Sequence, residues 1–84
     1  MEKILIVSSS RKSKQILIDM VKESGNYQVL DVDSALQCRE IIKKFNFDLI
    51  IISLPLKDDG GENLSDFLNK NINKLFIESI KINY

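Results

Sequence analysis

Two short apolar runs constrain this chain more than anything else in it. Ile4-Leu-Ile-Val7 and Leu49-Ile-Ile-Ile52 are rich in β-branched residues, and each ends in serine. Continuous apolar runs of this length are what a parallel strand buried on both faces requires. Between them lie two segments of helical period and one further strand-like run. Strands alternating with helical segments of this length specify βαβ units and a parallel sheet. Right-handed crossovers then distribute the helices over the two faces.

The first helical segment opens at Ser10, a good N-cap. Leu17, Met20, Val21 and Ser24 recur at helical spacing, with Ile16 widening the stripe. Ile18 falls beside the stripe and is expected to be partly exposed. Gly25 ends the helix. Gln28-Val-Leu-Asp-Val32 is a second strand, polar enough to suit a sheet edge. Ser34 and Gln37 have the spacing of a capping box. Ala35, Cys38, Ile41 and Ile42 form the apolar face of the second helix. Phe45 and Phe47 close the turn into the third strand. After a loop with one proline and two glycines, Leu64, Phe67 and Leu68 mark a third helix over about Glu62 to Lys70. The tract Leu75-Phe-Ile-Glu-Ser-Ile80 has no strong period, so a fourth strand and a short helix both remain open. The fold class is therefore α/β, a flavodoxin-like three-layer α/β/α fragment with parallel order 2-1-3 and a possible fourth strand. Residues 1–84 form a single domain.

Composition narrows the function. Twelve basic residues balance twelve acidic ones, and 44% of the chain is hydrophobic. A neutral balance lacks the basic face of a nucleic-acid binder and gives no long-range attraction to membranes. A single cysteine, Cys38, forms neither an internal disulfide nor a cysteine-based zinc cluster. No apolar run approaches the roughly 20 residues of a membrane span, and Lys3-Ile-Leu-Ile-Val7 is too short for a signal sequence. The expected location is cytoplasmic. There is no histidine to act as a base, and no pair of carboxylates at a defensible spacing. The chain is not expected to be an enzyme, and neither a cofactor, a substrate nor a metal is expected.

Both strands with terminal serines, and the loop Leu54-Pro-Leu-Lys-Asp-Asp-Gly-Gly61, resemble the receiver domain of bacterial two-component response regulators. The resemblance runs over about residues 2 to 70. It places the metal-holding acidic pair on Ser8 and Ser9, and the phospho-acceptor on Ser53. Asp48-Leu-Ile-Ile-Ile before Ser53 and Gly61 after it also fit. All three carboxylates are thus replaced by hydroxyls. Magnesium is normally held through one or two carboxylates, and phosphoryl transfer needs the charge neutralisation that the ion supplies. A serine hydroxyl is a weak nucleophile without an adjacent base. The chain is similar in this to the pseudo-receivers that precede ANTAR-type RNA-binding antiterminator domains, with Pro55-Leu56-Lys57-Asp58 as the corresponding loop. No ANTAR segment is present in this sequence, so direct RNA binding is not implied.

A complete receiver has five βα units, and this sequence reaches at most a fourth strand. A truncated receiver of this kind leaves a strand edge unpaired, and such edges template pairing with another chain. The expected partner is another protein or a second copy, as a dimer or domain swap, with Ile50, Ile52, Leu75, Phe76, Ile77 and Ile80 near the contact. The implied role is phosphorylation-independent protein–protein interaction in two-component or antitermination signalling. Two alternatives stand beside it. One is a phosphate site at Ser8, Ser9, Ser10, Arg11, Lys12 and Ser13, since a helix N-terminus presents free N–H groups and a positive dipole end. The other is a truncated product without a function of its own.

Overall fold

Hydrophobic runs and caps fall where the sequence places them. The computed structural model describes residues 2–60, 62–71 and 76–80, and side chains within 2–60 and 63–70. The element order is β1 (Lys3–Ser8), α1 (Arg11–Ser24), β2 (Gln28–Val32), α2 (Ala35–Ile41), β3 (Leu49–Ser53), α3 (Glu62–Asn71) and β4 (Phe76–Ile80). The strands form one sheet in the order β2-β1-β3-β4, and every pairing is parallel. The tract left open between helix and strand is a strand, paired from Leu49↔Phe76 to Ser53↔Ile80.

The alternation of side chains along β1 and β3 feeds two cores. Leu5, Val7, Ile50 and Ile52 point to one face, where Ala35 and Cys38 of α2 and Leu64 and Leu68 of α3 cover them. Ile4, Ile6 and Ile51 point to the other face, against Leu17 and Val21 of α1. Leu5, Ile6, Val7, Ile50 and Ile52 are shielded from solvent to within 0% exposure, each worth about 1.5–3 kcal/mol of apolar burial. Ile50 and Ile52 were expected near a contact between chains. They are instead interior, because β4 pairs with the far side of β3 and α2 and α3 cover their face. Leu75 and the side chains of Phe76, Ile77 and Ile80 lie outside the described residues.

The helix ends follow local chemistry. Ser10 Oγ accepts from Ser13 N at 3.3 Å and caps α1. Ser34 Oγ accepts from Gln37 N at 3.1 Å. Gln37 returns the contact one residue early, its Oε1 accepting from Asp33 N at 2.6 Å. Gly25 ends α1 with φ 170°, which is extended backbone and not the left-handed form. A Cβ there would lie 2.9 Å from Tyr27 Cε2, so a larger residue would have to displace that ring. The α1 stripe is narrower than its spacing suggests. Leu17 and Val21 are buried, whereas Met20 is 56% exposed and Ile16 also faces solvent. Ile18 is partly buried, packed against the edge of this core. At the amino edge, Asp48 ties β3 to β1: its Oδ2 accepts from Lys3 N at 2.8 Å, and its own N–H donates to the Lys3 carbonyl at 2.8 Å.

Candidate functional site

The ends of adjacent parallel strands bring Ser8, Ser9 and Ser53 to one edge. Ser8 and Ser53 are register partners on β1 and β3, and both are buried. This carboxyl edge, where β1 and β3 feed their following loops, is where open α/β sheets place ligands.

Each serine hydroxyl in the first loop has work within the chain. Ser8 Oγ donates to the Ser10 carbonyl at 3.0 Å. Ser9 Oγ donates to the Asp33 carbonyl at 2.6 Å and accepts from Lys57 N at 2.8 Å. One hydroxyl thus joins three loops, those after β1, β2 and β3. Ser10 caps α1, and Ser13 is buried inside its first turn. Arg11 and Lys12 are exposed. Of the six residues expected to hold an anion, four are therefore engaged in closing the loop and opening the helix.

The loop after β3 is tied a second time. It begins with a cis Leu54–Pro55 peptide and closes on itself through Leu56 N–H to the Asp59 carbonyl at 2.9 Å. Asp58 reaches the start of α2. Its carboxylate accepts from Ala35 N at 2.8 Å and Leu36 N at 3.1 Å. These are two of the helix donors that Ser34 leaves open. The Ala35 and Leu36 amides, with Lys57 beside them, hold the Asp58 carboxyl below the usual carboxylate range. Asp59, whose side chain is almost fully buried, meets Arg39 of α2 at 3.8 Å, and the Arg39 guanidinium lies over the Phe67 ring of α3.

On the other flank, Lys14 of α1 bonds Asp33 and lies 3.3 Å from Asp31. The Asp33 N–H joins the α2 cap, while its carboxylate turns to Lys14. A polar hollow of about 320 Å³ remains at this edge, lined by Ser9, Arg11, Lys14, Asp33 and Lys57. Three cations and one carboxylate surround it, and among the described residues no group of three or more acidic, histidine or cysteine side chains converges. These residues do not fit a magnesium ion, which takes hard oxygen ligands and carboxylates above all.

Sequence reasoning found the edge and missed the stitching. A signal for Asp58 was present: Ser34 satisfies one N–H of α2, and the remaining donors need an acceptor from a neighbouring loop. The Lys14 cluster requires knowing that α1 lies over the end of β2, which only the strand order supplies.

No family model matches the chain, and no curated protein matches it. Solved structures do. The MaeR response regulator bound to beryllium trifluoride superposes with a TM-score of 0.89 at 16% identity, covering 100% of this chain and 70% of that one. The response regulator TrrA of Thermotoga maritima, in complex with Mg2+–BeF, gives 0.88 at 18% identity over 96% and 70%. A chain of the complex between the histidine kinase ThkA and TrrA gives 0.84 at 16% identity over 99% and 87%. The likeness is one of architecture, and the chain has the CheY-like, flavodoxin-like fold of response-regulator receivers.

Proposed function

We propose that this chain is a pseudo-receiver: a receiver-fold domain that signals by protein–protein contact and takes no phosphoryl group. The observation that carries this reading is the state of Ser9. At a position where the resemblance puts a metal-holding acid, a hydroxyl bridges the Asp33 carbonyl and the Lys57 amide. Ser8 is likewise turned inward to the Ser10 carbonyl. Among the described residues no cluster of carboxylates converges here to hold magnesium, and the sequence has no histidine to activate Ser53. The edge has no catalytic role in this reading. The neighbour named as a complex of a response regulator with a histidine kinase supports a protein as the partner. A two-component or antitermination setting follows from the resemblance to the receivers that precede ANTAR domains.

The test is an amide nitrogen–proton spectrum of the chain titrated with magnesium and acetyl phosphate, followed by intact mass. Unmoved Ser8, Ser9 and Ser53 resonances and an unchanged mass are expected. A saturable shift at those residues with a gain of one phosphoryl group would overturn the proposal. The polar hollow with Arg11, Lys14 and Lys57 on its wall favours a second reading, a phosphate-binding edge. Inorganic phosphate added to the same sample distinguishes it: shifts at Ser9, Arg11 and Lys57 without a change in mass would favour anion binding.

A further inference from the structure

The outer strands of the sheet are β2 and β4, and the free edge of β2 is organised. Gln28 N–H points inward, donating to the Glu2 carbonyl at 2.9 Å. Backbone groups alternate in direction along a strand, so Val29 and Asp31 turn their N–H and C=O groups outward. An unpaired row of this kind is a template for another strand. A groove of about 590 Å³ wraps the same edge. Its apolar wall includes Leu36 and Phe45, the first 64% and the second 44% exposed. Leu30 and Val32 of β2 lie beneath, only partly buried.

Charge is divided along this groove. At the carboxyl end of β2, Asp31 and Asp33 outnumber Lys14 by one. The chain then turns back through α2, so Glu40, Lys44 and Phe45 line the groove beyond; Glu40 is paired there with Lys43 at 3.5 Å, and Lys44 carries the remaining charge. A two-fold axis across the edge sets the basic end of one copy against the acidic end of the other. It likewise sets Leu36 of one near Phe45 of the other. A surface that complements itself under a two-fold rotation is the mark of an isologous dimer contact.

We propose that a second copy of this chain docks here, adding its β2 antiparallel to β2 and making one continuous sheet across both molecules. An axis at Leu30 places Val29 opposite the partner's Asp31, and Asp31 opposite the partner's Val29. All the outward N–H and C=O groups of the strand are then used. Leu30 faces its own counterpart on the α2 side, in a pair without hydrogen bonds, where side chains come closest. Asp31 does not block this arrangement, because its carboxylate is held by Lys14 on the α1 face. Two five-residue strands with their helix flanks make a contact at the low end of interface sizes, below about 1,200 Å². The dimer is therefore weak and concentration-dependent. The proposal deepens the protein-contact role above by naming a partner and a surface.

Sedimentation velocity from about 10 µM to about 1 mM tests it. The expected result is a rise from monomer towards dimer mass. Val29→Pro removes an outward N–H and no bond to β1, as an edge strand tolerates, and should weaken the dimer at least about tenfold. Leu30→Cys should give a disulfide-linked dimer on mild oxidation, since the native Cys38 is buried. A monomer at the highest concentration overturns the proposal. So does a dimer that survives Val29→Pro, or a dimeric Leu30→Cys protein that does not cross-link. If Val29→Pro unfolds the chain, the cross-link decides. A monomer that ignores acetyl phosphate would sink this contact and leave the phosphorylation-independent role standing, whereas a phosphorylated dimer would do the reverse.

Discussion

Replacing Ser9 with alanine isolates the device that holds the carboxyl edge together. The substitution deletes two hydrogen bonds, at 2.6 Å to the Asp33 carbonyl and 2.8 Å from Lys57 N. A hydrogen bond contributes about 0.5–1.5 kcal/mol net. Both partners here are open to water, which can replace the lost hydroxyl, so the lower half of that range applies. The expected loss is about 1 kcal/mol. A chain of this length has roughly 4–13 kcal/mol of stability at about 0.05–0.15 kcal/mol per residue. With a urea slope near 1–2 kcal/mol/M for a small domain, the midpoint should fall by roughly 0.5–1 M. Ser10→Ala, which removes the α1 cap, costs a similar amount of about 1 kcal/mol but does not touch the loop after β3. Amide exchange therefore separates the two. Lys57 N–H should exchange several times faster in Ser9→Ala and at an unchanged rate, relative to the global opening, in Ser10→Ala. An unchanged urea midpoint together with unchanged Lys57 exchange in Ser9→Ala would refute the stitched edge.

Three further outcomes are expected. Asp58 has its carboxyl pKa lowered in the folded state by the Ala35 and Leu36 amides. Its contribution is thus present above the unfolded value of 3.8 and is lost as pH falls through the lower folded value. Asp58→Asn should flatten the acid limb of a stability–pH curve below about pH 4, and an unaltered limb would contradict the clamp. Burial raises the Cys38 thiol to about 11, with Arg39 opposing weakly. Its favourable effect holds below the unfolded value and fades as pH rises from 9.0 towards 11. Iodoacetamide at pH 8 should label it only through global unfolding, so labelling should quicken with urea, and fast labelling of the native protein would count against its burial. Finally, Ile52→Ala should cost about 2–5 kcal/mol by leaving a cavity, while Met20→Ala, on the exposed flank of α1, should change the melting midpoint little. Similar losses at both positions would show that the core has been misplaced.

How much of this was legible from residues alone can be seen at particular positions. Ile4 to Val7 and Leu49 to Ile52 determine their own state, because apolar runs of that length have few alternatives in a chain flanked by helical periods. Ser10 and Ser34 declare helix starts through one local hydrogen bond each. What was not legible is what depends on two elements meeting. Met20 has helical spacing, yet it sits on the open side of the hollow that α1 forms with Ile4, Leu49 and Ile51 and is left largely exposed. Ile50 and Ile52 look like contact residues only if β3 is an edge, and the register with β4 makes it interior. Ser9 and Lys57 are 48 residues apart, so no local pattern connects them.

The same long-range contacts explain how an edge with serine at positions 8, 9 and 53 stays ordered. Carboxylates that converge on one site repel one another and need a cation to be stable together. Serine at positions 8, 9 and 53 removes that repulsion and the affinity for an ion at once. Asp31 and Asp33 remain close by, and Lys14 pairs with both from within the chain. Such partly exposed pairs are worth at most about 1 kcal/mol, so their importance lies in position and not in strength. A tethered ammonium does not leave the site, and its charge does not depend on a metal concentration or on a phosphoryl donor. Ser9 and Asp58 fix the adjoining loops by hydrogen bonds to backbone, without a metal or a phosphoryl group. In the phosphorylation-independent role proposed above, a signal is carried by what binds the surface, and the free β2 edge is the contact proposed for it.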